Sequence, residues 1–316
     1  MGRLIAVCVS KKRGTQKTQT PAAYLKEGYG IEGDAHAGGW HRQVSLLSYE
    51  SIMAFRKKGA DVDFGAFGEN LVVEGFDFKK LPVGTMIQVG EAKLKLTQIG
   101  KECHSHCEIF QQMGECIMPK EGVFARVQKS GRIAPGVAVT LLQTTVKKSR
   151  PFTAAVITLS DKGAAGLRED KSGPLVKEIL EANVQDDYEV VETLLLGDER
   201  LLLENNLRRL CDQRQVDVIF TTGGTGFSKR DITPEATLAV CDRMADGIAQ
   251  AMRVHSIAIT GRAMLSRAVS GIRKNTLIVN LPGSPKAVKE CLEYALPYLG
   301  HGLSVLRGTE AECGGM

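Results

Sequence analysis

Apolar positions in the first 145 residues come in short runs broken by glycine, proline and polar turns. From residue 152 onward, strand-length apolar runs alternate with longer segments of helical period. The first pattern predicts strands at 4–9, 44–47, 71–73, 86–89, 93–99 and 137–142, interrupted by one helix at about 48–58. Lys93-Leu94-Lys95-Leu96-Thr97 alternates with period two, as a half-buried strand does. The expectation is a mostly β domain closed into a barrel. The second pattern predicts strands at 154–159, 188–195, 216–221 and 276–281. A helix begins at a Ser172 cap with Leu175, Val176, Ile179 and Leu180 on one face; others are expected at 199–213 and, as two segments, between 234 and 253. Strands alternating with helices predict an α/β domain with a doubly wound, largely parallel sheet. Lys147-Lys148-Ser149-Arg150-Pro151 lacks apolar periodicity, so the chain divides into residues 1–145, a linker at 146–151, and residues 152–316.

In a doubly wound sheet, ligands sit outside the carboxyl ends of the strands. The polar motifs collect there. Ser160-Asp161 follows the first strand, Gly197-Asp198 the second, Thr222-Gly223-Gly224-Thr225-Gly226 the third and Pro282-Gly283-Ser284 the last. The stretch 217–235 is the most informative. A β-branched run breaks into three glycines and three threonines, and a helix restarts with Thr233 as N-cap and Pro234 at its first position. Glycines let backbone N–H groups approach a phosphate and a helix N-terminus adds partial positive charge, so the loop suits a phosphorylated ligand. Its spacing is neither that of a Walker A loop nor G-x-G-x-x-G. Residues 265–273 add hydroxyls, among them Ser270, and two arginines, Arg267 and Arg273, a guanidinium being suited to phosphate.

In the first half, residues 10–17 read on charge alone as a solvated basic turn, and Asp34 with His36 among glycines as a hydrogen-bonded structural pair. Cys103, His104, His106 and Cys107, followed by Cys116, leave three readings open. These are a structural zinc site short of its second ligand pair, a lowered-pKa thiol beside Lys101 acting as sulfur carrier or nucleophile, and ordinary thiols. Cys8, Cys211, Cys241 and Cys291 lie in apolar segments and read as small buried hydrophobes.

Composition narrows the classes. The 316 residues are 43% hydrophobic and 24% charged, an ordinary globular balance for two cores. No apolar run reaches membrane-spanning length and the start lacks a signal-peptide cleavage pattern, so a cytoplasmic protein without a membrane partner is expected. Net charge is +5, yet residues 1–150 carry 22 Lys and Arg against 14 Asp and Glu, and residues 151–316 carry 19 against 22. The basic excess sits in the first half. With aromatics at 5% and no nucleic-acid motif, a nucleic-acid reading is weak, and a small anionic ligand explains the excess as well.

Residues 10–17, 33–36, 44–47, Phe67-Gly68-Glu69-Asn70-Leu71, the 100–107 segment and Gly122-Val123-Phe124-Ala125-Arg126-Val127 together resemble a MOSC domain, the β-barrel module named after molybdenum cofactor sulfurases. In that family one cysteine is proposed to carry sulfur, which here falls to Cys103 or Cys107, with Cys107 preferred. In the second half, T-T-G-G-T-G followed by R-D-I-T-P-E-A-T, L-S-R-x-x-x-G-I-R-K and N-L-P-G-S-P-K-A-V-K-E-C closely resemble the MogA/MoaB family of molybdenum cofactor biosynthesis proteins. That resemblance implies an adenylyltransferase joining the AMP of ATP to the phosphate of molybdopterin. It implies a trimer or dimer of trimers, and a downstream molybdenum or tungsten insertion protein as partner. Its two acidic positions map onto Asp198 and Asp231, with Asp231 expected to position Mg²⁺ at the ATP. A non-catalytic pterin carrier, or cysteine-dependent cofactor sulfuration, remains an alternative.

Overall fold

The computed structural model describes residues 1–101, 108–142 and 150–309. Two compact units emerge, 1–144 and 145–316.

In the first unit the strands are β1 (Gly2–Val9), β2 (Thr18–Thr20), β3 (Ala23–Lys26), β4 (Gly30–Ile31), β5 (Val44–Ser48), β6 (Leu71–Glu74), β7 (Met86–Val89), β8 (Ala92–Ile99), β9 (Val123–Lys129), β10 (Gly131–Ile133) and β11 (Ala138–Leu141). The order β11-β7-β8-β9-β5-β6-β1 closes on itself because β11 also pairs with β1, through Gly2 with Val139 and Arg3 with Ala138. The result is a closed seven-strand barrel, with β2 added to β1 and a small β10-β3-β4 sheet alongside. Strand β8 buries every second residue, as its sequence alternation predicts. Leu4, Leu46, Leu71, Ile87, Leu94 and Val123 pack in one apolar cluster. Helix α1 (Tyr49–Lys57) buries Ile52 and Phe55 in a second, which also receives residues of α2 (Glu108–Met113) and α3 (Met118–Glu121).

The second unit contains β12 (Phe152–Leu159), β13 (Tyr188–Leu196), β14 (Val218–Thr222), β15 (Arg243–Met244), β16 (Ser270–Arg273) and β17 (Thr276–Leu281). They form a sheet in the order β13-β12-β14-β17-β16-β15. β13, β12, β14 and β17 are mutually parallel; β16 runs antiparallel to β17, and β15 antiparallel to β16. The sheet is largely parallel, as expected, with antiparallel pairing at one edge. Its cause is local: only Lys274 and Asn275 separate β16 from β17, too few for a crossover, and Lys274 takes a left-handed φ of 51° that closes a hairpin. Strands β14 and β17 are buried at every position, as strands covered on both faces are.

Helices α4 (Asp161–Ala164), α5 (Ser172–Glu181), α6 (Arg200–Arg209), α7 (Thr233–Val240), α8 (Asp246–Ile259) and α9 (Pro285–Arg307) complete the unit. Val176, Met252, Val288 and Leu292, from α5, α8 and α9, pack with Val156 and Phe220 on one face of the sheet. Leu203, Leu207, Ala236 and Val240, from α6 and α7, pack with Ala155, Ile157 and Ile219 on the other. The connections after neighbouring β12 and β14 thus leave toward opposite faces. That opens a crevice between their carboxyl ends, the topological switch point where such sheets bind ligands. Among the described residues no helix is long and apolar enough to cross a membrane.

Candidate functional site

At the switch point the glycine loop leaves β14 with Gly223 at φ 97° and Gly224 at φ 64°, both in the left-handed region. Space forbids side chains as firmly as the backbone does. A Cβ on Gly223 would lie 2.4 Å from the Leu159 carbonyl oxygen at the end of β12, and one on Gly224 2.5 Å from Thr233 Oγ1. Thr233 pins the loop, its Oγ1 donating to the Gly223 carbonyl at 2.9 Å and its N–H to that of Gly224 at 3.1 Å. It is the first residue of α7 rather than its cap, so the helix begins one residue earlier than expected. Thr222 Oγ1 donates to the Pro282 carbonyl at 2.7 Å, and Ser172 Oγ to that of Gly283 at 2.8 Å. Ser284 caps α9 by accepting from the Ala287 N–H at 3.3 Å. The segments expected to converge after β12, β14 and β17 do meet here, with the N-termini of α7 and α9 at the same rim.

The carboxylates come from three loops. Asp161 and Asp198 exchange hydrogen bonds: the Asp161 N–H donates to Asp198 Oδ2 at 3.0 Å and the Asp198 N–H to Asp161 Oδ1 at 2.9 Å. Asp198 Oδ1 lies against Gly224, 3.4 Å from where its Cβ would be. Asp231 is held on the glycine loop by the Ser228 N–H, which donates to Oδ2 at 2.9 Å. Burial pushes the Asp198 carboxyl above its ordinary range; the Asp161 N–H opposes that, the Asp161 and Asp231 charges add to it, and Arg230 opposes it. Hydrogen bonding from Arg230 and the Asp198 N–H holds Asp161 below the usual range.

Two arginines brace the site. Arg267 donates to the Gly226 carbonyl and the Asp231 carbonyl, each at 2.6 Å, and pairs with Glu235. Its own N–H reaches the Thr225 carbonyl at 2.9 Å. Arg230 makes a fork to Asp161 at 2.9 and 2.8 Å and a third bond to Glu199 at 3.1 Å. Arg267 is one of the two arginines that the sequence offers for phosphate, and Arg230 lies beside Asp231 in the glycine-loop stretch. The signal for Arg267 lay in its segment, where two arginines compete and only topology chooses. Arg273 lies at the opposite end of the sheet, paired with Thr276 at the start of β17 and held by Asp212 at 3.1 and 2.6 Å. Ser270 is buried and committed inside the fold, donating to the Ala245 carbonyl at 2.7 Å. The structure does not bring these two expected ligand contacts to the rim as free groups.

In the first unit the basic 10–17 loop is not a solvated turn throughout, because Lys17 is buried. Its Nζ lies 2.5 Å from Asp34 Oδ2 and 3.2 Å from His36 Nδ1. Asp34 also accepts from the Ser10 N–H at 3.0 Å, Asn70 Nδ2 at 3.1 Å and the His36 N–H at 2.9 Å. Burial alone would raise its pKa, but hydrogen bonds from His36 and Lys17 hold it well below the carboxylate range. Above this network, the Arg13 and Arg42 guanidiniums stand 5.7 and 4.8 Å from the Trp40 ring centroid. Burial pushes the Cys8 thiol up to about 12, which disfavours the thiolate. Cys116 is half-buried against the apolar cluster around α1. Cys103 and Cys107 lie outside the described residues. Among the described residues no group of three or more His, Cys, Asp and Glu side chains could hold a metal.

Two family descriptions match the chain: "Probable molybdopterin binding domain" over residues 155–301 and "MOSC domain" over residues 33–145. Molybdopterin adenylyltransferase of Helicobacter pylori is 41% identical over 154 residues, 49% of this chain and 87% of that protein. Molybdopterin adenylyltransferase of Escherichia coli K12 is 43% identical over 138 residues, 44% of this chain and 70% of that one. Among solved structures, molybdopterin biosynthesis enzyme MoaB of Thermus thermophilus is 43% identical, covers 50% of this chain and 97% of that chain, and superposes with a TM-score of 0.47.

Proposed function

Because the chain belongs to the molybdopterin-binding family that includes the molybdopterin adenylyltransferases, and carries a MOSC domain before that half, we propose that its second unit adenylylates molybdopterin. In this reading a phosphate oxygen of molybdopterin attacks the α-phosphorus of ATP, the bond from that phosphorus to the bridging oxygen breaks, and pyrophosphate leaves. The observation that carries it is the meeting of a glycine loop, two helix N-termini and the carboxylates Asp198 and Asp231 at one switch point. Thr222, Gly223, Gly224, Thr225 and Gly226 shape a phosphate cradle, with Pro282, Gly283 and Ser284 as its opposite wall. Ser160 and Asp161 close the side facing β13.

Transfer between two anions needs alignment and charge neutralisation more than a strong base. Mg²⁺ is commonly held by one or two carboxylates together with substrate phosphates, so an ion carried in on the nucleotide needs little more than one acidic side chain from the protein. Asp231, with one carboxylate oxygen engaged by the Ser228 N–H, would hold Mg²⁺ bound to ATP, and that ion would neutralise charge on the phosphates. Asp198 aligns the pterin phosphate beside Gly224.

The MOSC unit binds the pterin or the finished cofactor in its basic half, and handles sulfur if Cys103 or Cys107 carries a persulfide. Joining both units raises the effective concentration for passing on an unstable dithiolene before a metal-insertion protein receives it. The second unit assembles as a trimer or a dimer of trimers, which sedimentation velocity tests. The enzymatic reading predicts pyrophosphate release that requires both molybdopterin and Mg²⁺-ATP and is abolished in Asp198→Asn. Binding of both without release would instead make the unit a pterin carrier. A persulfide on Cys103 or Cys107 in mass spectra of the isolated protein would move sulfuration to the front.

A further inference from the structure

Four carboxylates, Asp161, Asp198, Glu199 and Asp231, crowd one rim, and their mutual repulsion works against holding any of them in place. Arg230 reaches across this cluster. It sits on the glycine loop one residue before Asp231, and its guanidinium forks onto Asp161 at 2.9 and 2.8 Å and touches Glu199 at 3.1 Å. Those partners follow β12 and β13 respectively. One side chain therefore ties the loop bearing Asp231 to both loops that frame Asp198.

The tie is passed on through four further bonds, two on each side. Asp161 is locked to Asp198 in both directions, N–H to carboxylate each way, at 3.0 and 2.9 Å. On the other side, the Asp231 carboxylate is fixed to the Ser228 N–H, and its carbonyl to Arg267. The loops after β12 and β13 are thus tied to each other, Asp231 is held on the glycine loop, and Arg230 spans from that loop to the other two. A guanidinium suits that task because its planar fork engages both oxygens of Asp161 and still reaches a second carboxylate, which an ammonium cannot do with fixed geometry.

We propose that Arg230 is a positioning residue: through Asp161 and Glu199 it sets where Asp198 stands relative to Asp231, the two groups between which the phosphates must be aligned. The inference rests on the adenylyltransferase reading for its catalytic consequence, but the structural tie can be measured without turnover. Arg230 acts here through the protein rather than by gripping ATP, and that distinction makes the test decisive.

The experiment compares the full-length protein with Arg230→Gln, Arg230→Lys, Asp161→Asn and the Arg230→Gln/Asp161→Asn double variant. Hydrogen exchange is followed at the Asp161 and Asp198 amides, and kcat and KM for ATP and molybdopterin are measured alongside. Loss of the tie frees both amides, so their exchange should accelerate in Arg230→Gln while amides within β12 and β14 keep their protection. A loop displaced by about 1 Å costs about 100-fold in rate. The expectation is a fall of that order in kcat with KM for ATP within about twofold, partial rescue by lysine, and a double variant no worse than the poorer single one. Unchanged exchange at residues 161 and 198, or a rise in KM for ATP that adds to the Asp161→Asn effect, overturns the proposal; the latter would make Arg230 a nucleotide ligand. Wild type that forms no adenylylated pterin would sink the parent reading alone, since the exchange arm still decides the tie.

Discussion

Replacing Asp217 by asparagine should destabilise the second unit more than any other single carboxamide substitution outside the site. Asp217 stands just before β14, with its side chain 7% exposed. It accepts from Arg307 at 2.8 and 2.7 Å, from Arg150 at 2.9 and 3.1 Å, and from the Thr153 N–H and Oγ1 at 2.8 and 2.7 Å. Burial pushes its pKa up, yet the Arg307 hydrogen bonds and the charges of Arg150 and Arg307 win and bring it down to about 2 from 3.8. A shift of that size corresponds to about 2 kcal/mol of linkage. The folded pKa is depressed, so this contribution is complete above pH about 4 and is lost as pH falls through about 2. Asp217→Asn goes further, because it leaves Arg307, 6% exposed, buried without its counter-charge, for a loss of about 3–5 kcal/mol. Urea denaturation of the full chain, read by hydrogen exchange in peptides covering β12 and β14, isolates the second unit. Replacing the pair together, Asp217→Leu with Arg307→Met, should cost less than Asp217→Asn alone, since no charge is stranded. A loss below about 1 kcal/mol at pH 7, or a double variant worse than the single, would refute the reasoning.

Further outcomes follow from the same geometry. Gly223→Ala meets both a φ of 97° and the Leu159 carbonyl oxygen, so the loop must shift; ATP binding measured calorimetrically should weaken at least tenfold while the melting temperature falls, and unimpaired binding would show the loop is not the cradle. Glu69 is fully buried in the barrel and its carboxyl is pushed up to about 7 by burial, against N–H groups of Gly65 and Phe67. Its folded pKa is raised, so its contribution is present below pH about 4.5 and lost as pH rises through about 7. Barrel stability should therefore fall by about 3 kcal/mol between pH 4.5 and 8, and Glu69→Gln should remove that slope, as followed by Trp40 fluorescence in urea.

Strong periodicity is legible in the sequence, whereas topology is hidden. β14 and β17 announce themselves as short runs rich in β-branched and apolar residues, and β8 as alternation, so their bounds are readable within two residues. Strands β2, β3, β4 and β10, two to four residues long, are too short for any period to register. Helix α9 escapes a reading by period although Val288, Leu292, Leu296, Leu299 and Leu303 form an apolar stripe, because Pro297 interrupts it. At the site, Asp198, Asp231 and the glycine loop are legible as motifs. What decides between Arg267 and Arg273 is the antiparallel course of β16, which carries Arg273 away from the rim. Lys17 misleads for a similar reason: its charge suggests solvent, while its partner Asp34 is 17 residues further along.

Adenylylation of molybdopterin is tested most directly by one chromatogram. Wild-type protein and Asp231→Asn are each mixed with molybdopterin and Mg²⁺-ATP, and the pterin fraction is separated and examined for the adenylylated product. Wild type should yield that product, and a folded Asp231→Asn that still binds the pterin should yield none above background. Wild type that binds molybdopterin and ATP yet yields no adenylylated pterin would contradict the adenylyltransferase reading.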